Sequence, residues 1–169
     1  MALRQIRILG DPVLEKVSRP VKEVTPRIKE LIEDMLETMY EKDGVGLAAC
    51  QVGVLRRVVV IDVGDEEGNA DPIIMINPEI VKQDGEQFGD EGCLSYPGKS
   101  GKVRRPDHVI AKYYDEDMKE HTIEAYKLLA RAICHELDHL DGHMYVEKVE
   151  GEIVDAMAEA ENEAEVNQD

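Results

Sequence analysis

His135-Glu136-Leu137-Asp138-His139 is the stretch on which the reading of this chain turns. In a helix, residues four apart are separated by roughly 40° around the axis, so both imidazoles project from one side and can grip a single ion. Glu136 flanks that face. A carboxylate there can take a proton from a metal-bound water and pass it to a leaving group. Apolar Leu128, Leu129 and Ile133 precede the motif, and Gly142 provides a stop. The pattern predicts a metal-dependent hydrolase. The plain alternative is an amphipathic helix whose histidines merely fall at this spacing.

Two histidines leave a third ligand to be found. Zinc proteases built on this motif usually take it from downstream, but Leu140-Asp141-Gly142-His143-Met144 offers no ligand at their spacings, and Glu147, Glu150 and Glu152 come later. Upstream by forty-two residues lies Cys93, in the glycine-containing segment Glu91-Gly92-Cys93-Leu94-Ser95. A thiolate suits borderline and soft divalent ions, so Cys93 is the better candidate beside His135 and His139.

Three segments, in order, carry a resemblance: Gly44-Val45-Gly46-Leu47-Ala48-Ala49-Cys50-Gln51, then Glu91 to Ser95, then His135 to His139 with Leu140-Asp141-Gly142. Together they resemble the bacterial peptide deformylases, and weaker similarities at Gly10 to Leu14 and Ile76-Asn77-Pro78 extend the match over roughly residues 4 to 149. The resemblance implies removal of the formyl group from formyl-methionine of newly made polypeptides, with release of formate. It implies attack by a metal-bound water, Glu136 as proton shuttle, and an oxyanion held by the Gln51 side-chain amide and the Leu94 backbone N–H. Substrate main chain would run between the Val45-Gly46 segment and Gly92. The implied cofactor is one divalent ion, Fe(II) first, with Ni, Co or Zn as substitutes. Formyl-methionyl nascent peptides are the implied partners, with a transient ribosome contact.

Several residues depart from the common pattern of that family. Cys134 stands where many members have glutamine, Lys127 where many have glycine, and Ser100 where some have an arginine that contacts substrate. Arg131, one turn before His135, falls near the expected methionine pocket. From the residues alone, Gly44 and Gly46 either let a peptide approach or only shape a turn, and Gln51 could be an ordinary surface glutamine. Lys99, Lys102, Arg104 and Arg105 read as a basic loop, either solvated or touching substrate.

Composition sets further bounds. A chain of 169 residues suits one domain, expected here over 1–149. A net charge of -17 argues against direct nucleic-acid binding, because phosphate binding needs clustered cations. No apolar run approaches a membrane span and no signal-like stretch opens the chain, so a cytoplasmic location is expected. An odd number of cysteines, three, argues against a disulfide framework; Cys50 and Cys134 read as small buried residues. Residues 150–169 hold no lysine or arginine and are expected to form an acidic helix or solvated tail. In some deformylases a C-terminal helix touches the ribosome, and an acidic tail fits that role poorly.

Ile28, Leu31, Ile32, Met35, Leu36, Met39 and Tyr40 follow helical spacing and predict a helix over 26–42, ended by Asp43-Gly44. Residues 58–63 and 73–76, with 109–114 and 121–126, read as strands. The order predicts an α+β fold, mixed or antiparallel sheets around a central helix carrying the metal motif. The seven methionines read as core. A zinc endopeptidase and a non-catalytic metal-binding module are the competing classes; the first lacks its downstream ligand, and the second would have lost one of the three motifs.

Overall fold

The structure is a computed structural model that describes residues 2–156. Its first helix, α1 (Pro26–Glu41), opens as the sequence predicts: the Thr25 hydroxyl accepts from the Ile28 N–H at 3.3 Å, and Pro26 occupies the first turn, where its missing N–H costs nothing. It closes at Asp43, in the left-handed region at φ 55°, after which the Gly44 N–H returns to the Met39 carbonyl. Met35, Met39, Met75 and Met144 are buried, Met118 is partly so, and Met1 and Met157 lie outside the described residues.

Five strands, β1 (Gly46–Ala48), β2 (Val58–Ile61), β3 (Ile73–Asp84), β6 (His108–Tyr114) and β7 (Glu120–Tyr126), pair antiparallel in that order. All four residues of β2 are buried because the sheet is covered on both faces. Alternation then sorts its side chains. Val58 and Val60 pack with Leu31, Ile32, Met35 and Met39 of α1, while Val59 and Ile61 pack with Ala130, Ile133, Leu137 and Leu140 of the second helix, α2 (Lys127–Leu140). The predicted strands 73–76, 109–114 and 121–126 fall inside β3, β6 and β7, although β3 runs eight residues further, through a bulge at Asn77. The architecture is α+β, with α2 central and every pairing between strands antiparallel.

A second sheet is built from strands that the sequence pattern does not predict. It orders β4 (Gln87–Cys93), β5 (Tyr96–Arg105) and β8 (Val149–Asp155). Two expectations change. Lys99 to Arg105 lie in β5, not in a basic loop, and Arg105 is 4% exposed. The acidic segment does not begin a helix at residue 150, since 149–155 form β8, registered Val103↔Val149 and Lys99↔Asp155. Close approach explains the departure: a Cβ on Gly101 would sit 2.7 Å from the Val149 methyls, so the bare glycine admits β8. The rest of the expected tail, residues 157–169, lies outside the described residues. Among the described residues no helix is long and apolar enough to cross a membrane.

Candidate metal centre

Three chain segments meet at the front of α2. Buried packing of Ala130, Ile133, Leu137 and Leu140 against the large sheet fixes the rotation of α2, and this presents His135 and His139 together toward the end of β4. Their rings lie 5.0 Å apart at 68°. Cys93 ends β4 at a two-residue turn and brings its Sγ to 3.3 Å from His139 Nε2. The ligating atoms of Cys93, His135 and His139 all lie within 4.8 Å of one another. One thiol and two imidazoles at that separation fit a divalent transition ion of borderline softness.

What surrounds these groups supports the fit. His135 Nδ1 is 2.5 Å from Glu91 Oε1, so the imidazole turns its other nitrogen toward Cys93 and Glu136. Burial disfavours the charged ring, but hydrogen bonding to Cys93 and Glu91 outweighs it and pushes His135 up to about 10. Loading with a cation therefore displaces a proton. Burial, with His135 adding to it, holds His139 well below the usual histidine range.

Glu136 is 3% exposed, with Oε1 3.7 Å from His135 Nε2 and Oε2 lacking any hydrogen-bond partner among the described residues. A buried carboxylate oxygen with nothing to accept from is costly, and it points to a group that the site is built to receive. Burial first, then the nearby Glu91 and Asp138 charges, push the carboxyl up to about 7. Gly46 explains how Glu136 fits, because a Cβ there would stand 3.0 Å from its Cγ. Gly44 serves Leu94 in the same way, at 2.6 Å from Cδ1. Both glycines thus admit side chains of the site itself, a role that spacing and residue type alone do not separate from a turn.

Gln51 is 1% exposed, which rules out the surface alternative. Its Oε1 accepts from the Ala48 N–H at 2.9 Å, and this orients Nε2 toward Ser95 Oγ at 3.0 Å and Cys93 Sγ at 3.5 Å. Cys50 is wholly buried behind it and donates to the His139 carbonyl at 3.4 Å.

A cleft of ≈ 460 Å³ opens over these groups. Val45, Gly46, Gln51, Gly92, Cys93, Leu94, His135 and Glu136 all line it, so every residue singled out for chemistry or substrate contact is there except His139, which is fully buried below. The cleft runs between two free strand edges: β1 is terminal in the large sheet and β4 in the small one. The three-segment pattern is now joined by geometry, and comparison with known proteins settles its family. The model of the family described as polypeptide deformylase matches residues 3–153. The chain belongs to that family.

Relatives in the family lie close. The peptide deformylase of Agathobacter rectalis is 67% identical over 159 residues, covering 94% of this chain and 98% of that one. That of Lachnoclostridium phytofermentans is 61% identical, covering 98% and 100%. Among solved structures, the deformylase of Thermotoga maritima superposes with a TM-score of 0.83 at 39% identity, covering 88% and 99%. The Ehrlichia chaffeensis deformylase in complex with actinonin gives 0.84 at 37%, covering 89% and 90%. Membership makes this chain a metal-dependent hydrolase that removes the formyl group from formyl-methionine.

Sequence reasoning missed the charged residues behind the ligands. Glu91 accepts from Arg105 at 2.5 and 3.1 Å and from Arg131 at 2.7 Å, besides His135. Arg131 lines the cleft yet is spent on Glu91 and the Val103 carbonyl. Burial opposes ionisation of Glu91, but these donors hold it far below the usual carboxylate range. The available signal was Glu91 itself, a carboxylate two residues before the candidate ligand Cys93.

Proposed function

We propose that Cys93, His135 and His139 hold one divalent ion, Fe(II) in the cell with Ni, Co or Zn as substitutes, and that the cleft presents a formamide carbonyl to it. The observation that carries this reading is the orphaned, buried Glu136 Oε2 beside three converging ligands. Such an ion supplies Lewis acidity and lowers the pKa of water.

The protein's own groups do the rest. Glu136 takes the proton from the attacking water and delivers it to the departing amine, a relay suited to a buried carboxylate with one oxygen left without a partner among the described residues. Gln51 Nε2, its direction fixed by the Ala48 N–H, donates to the developing oxyanion, and the Leu94 backbone N–H is the second donor. The C–N bond breaks, leaving formate and a free α-amine. Substrate main chain lies extended between the β1 and β4 edges, at Val45, Gly46 and Gly92, where backbone hydrogen bonds can be completed. Actinonin, bound in the Ehrlichia relative, is expected to compete for this cleft.

We take residues 3–155 as the catalytic unit, because β8 completes the sheet that carries Cys93. Nascent formyl-methionyl chains are the partners, and any ribosome contact is expected to use a surface other than the acidic 157–169 segment.

The deciding experiment measures formate release from a formyl-Met peptide by anaerobically prepared iron and nickel forms, by chelated protein, and by Glu136→Ala and Cys93→Ala. Glu136→Ala should keep its metal and lose turnover by roughly two to four orders of magnitude, whereas Cys93→Ala should lose metal, with residual activity tracking occupancy. Air should inactivate the iron form before the nickel form. Full turnover by chelated protein, or by metal-loaded Glu136→Ala, would overturn the assignment.

A further inference from the structure

Helix α2 carries two acidic residues of opposite aspect. Glu136 faces the cleft. Asp138 faces a second cavity of ≈ 540 Å³ on the other side, which Arg57, Arg105, Cys134, Asp141 and Lys148 also line. From there a continuous path of charged hydrogen bonds leads back to the metal ligands. Asp138 Oδ2 accepts from Arg105 Nη1 at 2.6 Å and pairs with Lys148 Nζ at 3.1 Å. Arg105 spans to Glu91 with Nε and Nη2, and Glu91 Oε1 meets His135 Nδ1 at 2.5 Å.

We infer that Asp138 is a positioning residue for the ligand His135, acting through Arg105 and Glu91; the inference rests on the metal centre proposed above. Along this path two carboxylates, buried Glu91 and half-buried Asp138, face two buried guanidiniums, Arg105 and Arg131, and the exposed Lys148 ammonium. Neutralising Asp138 removes the anion that shares Arg105 with Glu91 and makes the path more positive by one charge. That charge draws the Glu91 carboxylate away from the His135 N–H and raises the potential where a dication must sit, and both effects weaken the ion's hold. Arg105 also loses the anchor that fixes its fork, so the ring of His135 loses its fixed orientation. An ion pair serving stability alone would leave the metal's affinity and spectrum unchanged.

The test uses full-length parent, Asp138→Asn and Asp138→Glu, stripped by chelator and reloaded with Co(II), whose ligand-field bands report the geometry around the ion. The parent should bind one Co(II) with a thiolate charge-transfer band. Asp138→Asn should bind about tenfold more weakly, the scale for outer partners of metal ligands, with shifted bands and a lower kcat at unchanged KM. Asp138→Glu should recover most of the affinity. Parental affinity and spectrum in folded Asp138→Asn, or no recovery in Asp138→Glu, would overturn the inference. If Asp138→Asn does not fold, Arg105→Lys takes its place: it keeps the charge and loses the fork, and parental affinity there is equally fatal. A parent that binds Co(II) without the thiolate band would instead refute the metal centre itself.

Discussion

Glu91 and His135 share a 2.5 Å hydrogen bond across forty-four residues of sequence, joining the strand that ends in Cys93 to the helix that carries both imidazoles. The same carboxylate is the shared partner of two buried guanidiniums. Glu91→Gln keeps the shape and removes the charge, leaving Arg105 and Arg131 short of a counter-ion. Breaking a buried network by deleting one partner costs about 3–5 kcal/mol. Urea unfolding of the metal-free protein should show that loss, and a change under 1 kcal/mol would mean that water already compensates these groups.

Gln51 is held from both ends, a preorganisation that suits the oxyanion role proposed for its amide. Gln51→Ala should retain parental metal content and lose about 2–4 kcal/mol of transition-state stabilisation, read from kcat/KM on a formyl-Met peptide. An equal loss of metal would make Gln51 a support for Cys93 and not an oxyanion donor.

Lys127 sits in the left-handed region at φ 51°, with its side chain exposed. Side chains with a Cβ are strained there, and many deformylases have glycine at this point. Lys127→Gly should therefore raise stability by about 1 kcal/mol, after allowance for the looser unfolded chain. The urea midpoint should rise at constant m. A fall would locate compensating contacts in the lysine.

His108 stands between carboxylates on two neighbouring strands, with Nδ1 3.0 Å from Asp84 and Nε2 2.8 Å from Glu124, and it stacks on Tyr126. The hydrogen bond to Asp84 leads, with Glu124 adding, in raising the imidazole above its usual 6.5. A raised folded pKa means that this clamp contributes fully below about 6.5 and fades as pH climbs through the folded value. Nuclear magnetic resonance should place the His108 titration above 6.5. His108→Gln should flatten the decline of stability as pH rises above about 6.5, and an unchanged slope would dismiss the clamp.

Legibility in the sequence followed how local each instruction was. Helix α1 and the metal helix announce themselves by apolar residues at helical spacing, such as Leu31, Met35 and Met39, and β2 by an unbroken run of four β-branched aliphatics at Val58–Ile61. The small sheet gives no such signal. Strand β5 contains Pro97, Gly98 and Gly101 and several cations, and it is a strand because β4 and β8 complete its hydrogen bonds, the latter reaching it from about fifty residues away. The convergence of His135 and His139 was readable because the two are spaced on one helix. Arg105 and Asp138 were not, since a charged residue looks solvated until its partner folds against it. Lys127 was noticed as an oddity, and only its dihedral angle says why glycine belongs there.

With substrate bound as proposed, the two free edges that flank the cleft also decide when this enzyme can act. A chain that must lie stretched between β1 and β4 surrenders any helix, turn or hairpin at its start. An amino terminus already tucked into a finished protein offers no such segment. The reaction belongs to the brief interval in which a new polypeptide has emerged but its first residues have not yet found their place, so elongation speed and early folding compete with deformylation for the same stretch of chain. Proteins whose opening residues collapse fastest are the ones expected to keep their formyl group when the enzyme is scarce.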